Sequence, residues 1–289
     1  MTNIAYIPGH LNDGTRIDLE AVVDDYRITL QSLPGLERTF AICNIPKKKK
    51  GHVVEDGGED YFEFGRSDLG LYVSVFDGIS GARDKRNILE APSEAAFYIH
   101  RSIDEAQTCQ EVNLYHLLWE ANQRNVQTRE LNSEICTATT VFFRSNQWLD
   151  YAYMGDSPVY TVAPRWGKRK VSLVMQPHIV EGKFLASALG YKNNPIGAGR
   201  ISLDSTLVVI GGTDGIDDIF RNARKIEKDS RFARSVATKK GMGMFIDRFL
   251  KEHDELHAMD FVKSVVEKSL PFLEGLDNHD DITLWVYVP

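Results

Sequence analysis

Four acidic clusters are spread across the sequence: Glu59-Asp60 in GGEDYFEF, Asp77-Gly78 in LYVSVFDGIS, Asp214-Gly215 in LVVIGGTDGIDD and Asp280-Asp281 in NHDDITLWVYV. Three of them sit at the end of an apolar, strand-like run. A carboxylate at the tip of a hydrophobic strand is costly unless a positive charge meets it. Several such groups from distant segments point to one shared site, most simply a cluster of hard divalent cations held through oxygen. The chemistry such a site offers is metal-assisted hydrolysis.

Apolar and turn residues indicate the elements that must position these carboxylates. Thr39 to Ile45, Leu69 to Phe76, Leu207 to Ile210 and Ile282 to Val288 read as strands rich in β-branched and aromatic residues. Pro92 to Gln107 and Glu111 to Leu131 read as helices, the second with Leu114, Leu117, Leu118 and Ala121 on one face. Between them and the TDG strand lies TATTVFFRSNQWLDYAYMGDSPVYTVA, whose apolar runs are separated by SNQ and GDS, as in a β-meander. Helical segments follow Asp214 and run through Lys268. In residues 16–33, Ile17, Val22, Tyr26, Leu30 and Leu33 recur near helical spacing, which predicts a helix ended by Pro34-Gly35. Lys47 to Lys50, after Pro46, form an exposed turn: a solvated loop, or a basic loop that attracts a phosphorylated substrate. Strands and helices do not alternate one for one, so a parallel doubly wound sheet is disfavoured. Antiparallel sheets with helices packed outside, an α+β fold, fit better.

Composition narrows the function classes. Over 289 residues the hydrophobic share is 43% and the charged share 26%, ordinary for a soluble globular chain with a sizeable core. The net charge of −7 argues against a nucleic-acid partner, which favours a basic surface. Cys43, Cys109 and Cys136 are widely spaced with no CxxC pair, so a disulfide framework or zinc site is not expected and a reducing compartment is. The opening residues MTNIAYIPGHLNDG lack a basic segment followed by an apolar core, and no apolar run approaches membrane-spanning length. No membrane partner is expected, and the expected location is cytoplasmic.

The ordered set ED, FDG, GDS, TDG and DDIT resembles the PPM, or type-2C, metal-dependent Ser/Thr protein phosphatases. TATTVFF and Ser187 to Gly190 (SALG) support the resemblance. It covers residues 38–289 and leaves residues 1–37 as an N-terminal extension, a helix packed on or docking to the core. It implies a four-layer α/β/β/α sandwich of two antiparallel sheets flanked by helix pairs, with the metal site at one end. It also implies a phosphoprotein substrate, hydrolysed at a binuclear Mg²⁺ or Mn²⁺ centre by metal-bound hydroxide.

Carried over position by position, the resemblance assigns Asp60, Asp77, Asp214 and Asp280 as catalytic metal ligands, with Asp77 bridging two ions. Gly78 lends its carbonyl, Glu59 acts through water, and Asp156 in MGDSP helps Asp214 hold a third ion. Asp280 competes with its neighbours Asp281 and Asp277, and the DDIT alignment selects it. Taken singly, Asp77, Asp156 and Asp214 have turn or capping roles as alternatives. Asp217 and Asp218 read as first-turn acids of a helix. His178 reads as an ordinary loop residue, and His52 and His279 stay outside the site.

The chain departs from the family pattern twice. Ile79 stands where many members have the histidine of DGHGG, and Glu55 stands where many have a phosphate-binding arginine. Lys47 to Lys50, Arg83 and Arg86 are the substitutes nearest in sequence. These departures motivate one alternative, a pseudophosphatase serving as an interaction module; the TDG and DDIT forms, which resemble the branch of bacterial stress-switch phosphatases, motivate another, a phosphatase of a regulatory phosphoprotein.

Overall fold

Runs of valine, isoleucine and aromatic residues become strands, and among the described residues every strand pair is antiparallel. The computed structural model describes residues 6–8, 16–23, 26–49, 52–53, 59–78, 90–128, 135–165, 168–180, 184–191, 194–221, 231–275 and 279–289. Glu55, Ile79, Arg83, Arg86, Lys50 and Asp277 lie outside the described residues. The chain divides into two units, one of Met1–Gly58, Val159–Val174 and Ser205–Pro289, the other of Glu59–Pro158 and Met175–Asp204.

The first unit holds an eight-stranded sheet. Its strands, in spatial order and labelled by chain order, are β1 (Tyr6–Pro8), β2 (Ile17–Val23), β3 (Tyr26–Ser32), β4 (Phe40–Ile45), β17 (Ile282–Tyr287), β16 (Val208–Gly212), β11 (Val159–Arg165) and β12 (Lys168–Leu173). A ribbon of β5 (Lys48–Lys49) and β6 (His52–Val53) adjoins it in sequence. Three helices follow β16: α3 (Ile216–Arg221), α4 (Arg231–Glu252) and α5 (Ala258–Glu274). Ile28, Leu30, Ala41, Cys43, Ile210, Leu284 and Val286 pack with Ile246, Phe249, Phe261 and Val265 of the helices in one core. β4, β16 and β17 are buried on both faces, which is why they read as continuous apolar runs. Burial pushes the Cys43 thiol up to about 12. All three cysteines are free.

The second unit holds a five-stranded sheet in the order β15 (Gly197–Ser202), β10 (Trp148–Met154), β9 (Ala138–Arg144), β8 (Gly70–Asp77), β7 (Asp60–Ser67). α1 (Glu90–Glu105) and α2 (Leu114–Thr128) cover one face, where Ala95, Ile99, Ile103, Leu118 and Ala121 meet Tyr72, Phe142 and Ala152. α2 starts at Leu114 because Asn113 caps it, its Oδ1 accepting the His116 N–H at 3.2 Å. A short ribbon joins β13 (Ile179–Val180) to β14 (Phe184–Leu185). The fold is α+β, built on antiparallel sheets. Among the described residues no helix is long and apolar enough to cross a membrane.

Three local expectations are corrected. Residues 16–33 form the hairpin β2–β3, not a helix, and β3 pairs with β4. Tyr26, Ile28 and Leu30 alternate toward the core, and the four-residue step from Tyr26 to Leu30 fits a strand's period of two as well as a helical turn. The third run of the expected meander leaves its sheet: β11 pairs with β12 and β16, not β10. Pro158, which lacks an N–H, precedes that departure. The lysine run is not a solvated loop throughout, since Lys48 and Lys49 pair with His52 and Val53.

Candidate active site

Each unit carries its own group of the acidic residues. In the second unit, Asp60 opens β7 and Asp77 closes β8, and the two are direct register partners. Directly opposed residues on antiparallel strands project from the same face, with Cβ atoms about 4.5–5.5 Å apart. Glu59 and Gly78 extend the pairing, the Gly78 N–H donating to the Glu59 carbonyl at 3.0 Å. A Cβ at position 78 would lie 2.8 Å from Glu59 Cβ, so the second residue of this DG pair must be glycine.

Asp77 is gripped by TATT. The Thr137 N–H donates to the Asp77 carbonyl at 2.8 Å, and the Asp77 N–H donates to Thr137 Oγ1 at 3.3 Å. Thr137 Oγ1 also lies 2.6 Å from Ser157 Oγ, and Thr139 Oγ1 donates to the Ser157 carbonyl at 3.1 Å. Two buried threonines thus tie Asp77 to the GDS turn that carries Asp156. The His178 N–H donates to the Gly155 carbonyl in the same turn at 2.9 Å. The His178 ring stacks on Tyr153 with centroids 4.7 Å apart, and burial lowers its pKa.

In the first unit, β16 delivers Thr213-Asp214-Gly215 to the start of α3. The Thr213 N–H donates to the Thr283 carbonyl at 3.0 Å, and the Thr283 N–H donates to Thr213 Oγ1 at 3.1 Å. This reciprocal pair sets the TDG turn beside the DDIT segment. Gly215 packs so closely on the Asp281 carbonyl that a side chain there would collide with it. Asp217 is held to α4, its Oδ1 accepting from Thr238 Oγ1 at 2.8 Å.

Asp280 and Asp281 differ in their surroundings. Asp281 is 2% exposed, and its Oδ1 accepts the Lys47 N–H at 2.6 Å. The Asp280 side chain is 50% exposed, with Lys47 Nζ 3.3 Å from its Oδ1. Lys48 is tied elsewhere, its Nζ donating to the Glu274 carbonyl at 2.6 Å. His279 is buried, hydrogen-bonded to Tyr26 and to the Asp280 carbonyl.

The predicted residues therefore gather as Glu59, Asp60, Asp77 and Gly78, tied to the turn of Asp156, in one unit, and as Asp214 and Asp280 in the other. Carboxylate and carbonyl oxygens are the donors that hard divalent cations take. Among the described residues, no three His, Cys, Asp or Glu side chains converge in a group able to hold a metal ion. Sequence reasoning passed over the supporting groups Thr137, Ser157, Thr213, Thr283 and Tyr26. TATT and GDS were visible as motifs, whereas the hydroxyl contacts between them were not.

Solved structures with this architecture span nearly the whole chain. The serine/threonine phosphatase Stp1 from Staphylococcus aureus matches with a TM-score of 0.58 at 12% identity, covering 86% of this chain and 94% of that one. The SiaA-PP2C domain of Pseudomonas aeruginosa matches at 0.57 and 14% identity, covering 89% and 88%. The fold is the type-2C phosphatase fold. RsbX in complex with magnesium has it too, with a TM-score of 0.51 at 13% identity over 87% of this chain and 96% of that one. No family model matches the chain, nor does any curated protein sequence. Within the type-2C fold, β7 and β8 carry the ED and DG motifs, and β16 and β17 adjoin the TDG and DDIT motifs.

Proposed function

We propose that this chain is a metal-dependent phosphomonoester hydrolase that removes phosphate from phosphoserine or phosphothreonine in a protein. The observation that carries the reading is the direct opposition of Asp60 and Asp77 across β7 and β8 in a chain with the type-2C fold. Asp60, Asp77, the Gly78 carbonyl, Asp214 and Asp280 would hold two Mg²⁺ or Mn²⁺ ions. Glu59 would act through water, and Asp156 would help Asp214 hold a third ion. When bound, such ions acidify water and offset charge on phosphoryl oxygens.

The chain's own groups supply preorganisation. Asp77 is fixed at both its N–H and its carbonyl by Thr137, so the backbone that presents its carboxylate is held in place. The Thr213–Thr283 pair does the same for the turn of Asp214. Lys47, with its Nζ 3.3 Å from the half-exposed Asp280, would meet a phosphoryl oxygen where the family has arginine.

The test is hydrolysis of p-nitrophenyl phosphate and of a phosphothreonine peptide by the purified chain, with Mn²⁺, with Mg²⁺ and with EDTA. Metal-dependent turnover abolished by EDTA is expected. A folded chain that binds Mn²⁺ yet turns over neither substrate would contradict an enzymatic role and favour the pseudophosphatase.

A further inference from the structure

We infer that Tyr26 is a positioning residue that sets the backbone of Asp280 through His279, making the hairpin β2–β3 part of the cation-binding half-site. This rests on the reading of Asp280 as a metal ligand. Tyr26 begins β3 and is 2% exposed, and its hydroxyl lies 2.7 Å from His279 Nε2, 253 residues away in sequence. The two rings stack with centroids 5.7 Å apart and planes 12° from parallel. On its other side, His279 Nδ1 lies 2.8 Å from the Asp280 carbonyl.

The chemistry of these atoms fixes the direction of the relay. A carbonyl oxygen only accepts, so Nδ1 carries the hydrogen and donates to Asp280. In the neutral ring Nε2 then accepts, and the Tyr26 hydroxyl donates to it. The backbone of His279 is clamped as well, exchanging hydrogen bonds with Lys48 at 3.1 Å in both directions. Asp280 is therefore held from the interior by its carbonyl while its carboxylate opens to solvent. Packing alone does not require this arrangement, because phenylalanine would fill and stack at position 26 equally well. The hydroxyl is the part with a directional role.

Tyr26→Phe removes that hydroxyl and keeps the ring. Partners that orient ligands from behind typically set metal affinity by tenfold or more, so the Mn²⁺ Kd of the full chain should rise roughly tenfold. Bound and free Mn²⁺ are separated by electron paramagnetic resonance, independently of turnover. His279→Asn, which keeps a donor near the Nδ1 position but loses the Tyr26 contact, supplies the second background. If Tyr26 acts through His279, Tyr26→Phe has no further effect on Kd there. An unchanged Kd in Tyr26→Phe, or an equal loss in both backgrounds, overturns the inference even if melting temperature falls. A parent chain that binds no Mn²⁺ overturns this inference and the proposed function together. A parent that binds Mn²⁺ without turnover overturns the proposed function, and the Kd comparison still decides on Tyr26.

Discussion

Asp60 and Asp77 face each other as register partners, the first residue of β7 against the last of β8. Like charges so opposed are destabilising by themselves, and a divalent cation reverses the sign of that interaction. Asp77→Asn should reduce Mn²⁺-dependent turnover by roughly 10³-fold, the several kcal/mol a bound metal contributes to the transition state. Its thermal unfolding without metal should be unchanged or slightly improved. Retained turnover would remove Asp77 from the mechanism.

Lys47 Nζ lies 3.3 Å from Asp280 Oδ1, so under the proposed function the ammonium would compete with a metal ion for that carboxylate. Lys47→Met should tighten Mn²⁺ binding by up to about fivefold, the worth of an ion pair of roughly 1 kcal/mol. It should also weaken inhibition by inorganic phosphate. Calorimetric titration with Mn²⁺ and inhibition assays with phosphate read the two effects separately. Weaker Mn²⁺ binding would mean that Lys47 orders the site rather than competing in it.

Asp150 accepts from Arg144 Nε at 2.8 Å and from Arg200 Nη2 at 3.0 Å. Asp150 is 6% exposed and Arg144 only 5%. Asp150→Ala leaves a buried guanidinium without its carboxylate and should cost about 3–5 kcal/mol in urea unfolding. A loss under about 1 kcal/mol would place the pair among exposed ion pairs in energetic terms.

Burial lowers the pKa of His178, and of His279, below that of a free imidazole. The unfolded chain takes up those protons near pH 6.5 and the folded chain only at lower pH. The unfolded state thus binds more protons in that window, so stability rises with pH through it and falls as the pH drops below about 6.5. Urea midpoints at about pH 7.5 and about pH 5.5 should differ in that direction, and less so in His178→Phe, which keeps a ring against Tyr153. An equal difference in both proteins would locate the pH response elsewhere.

Much of this arrangement was legible in sequence where local chemistry decides it. β4, β8, β16 and β17 announced themselves as apolar runs, α2 by the periodicity of its apolar face, and the acidic motifs by residue type. Register is not local, so nothing in GGEDYFEF indicated that Asp60 would oppose Asp77. The lysine run looked solvated because the partner of Lys47 lies 234 residues away. The hairpin β2–β3 looked helical because the four-residue steps from Val22 to Tyr26 and from Tyr26 to Leu30 suit a helix as well as alternating strands. The alternation of Tyr26, Ile28 and Leu30 was the better signal.

β17 lies between β4 and β16 near the middle of the eight-stranded sheet, yet it is the last of those strands in the chain. During synthesis, β4 and β16 must wait with unpaired edges until residues 282–287 leave the ribosome. Such edges template pairing with other chains, and closure between distant segments is slow. Production of this protein should therefore be limited by aggregation of nascent chains, more than by the stability of the finished fold.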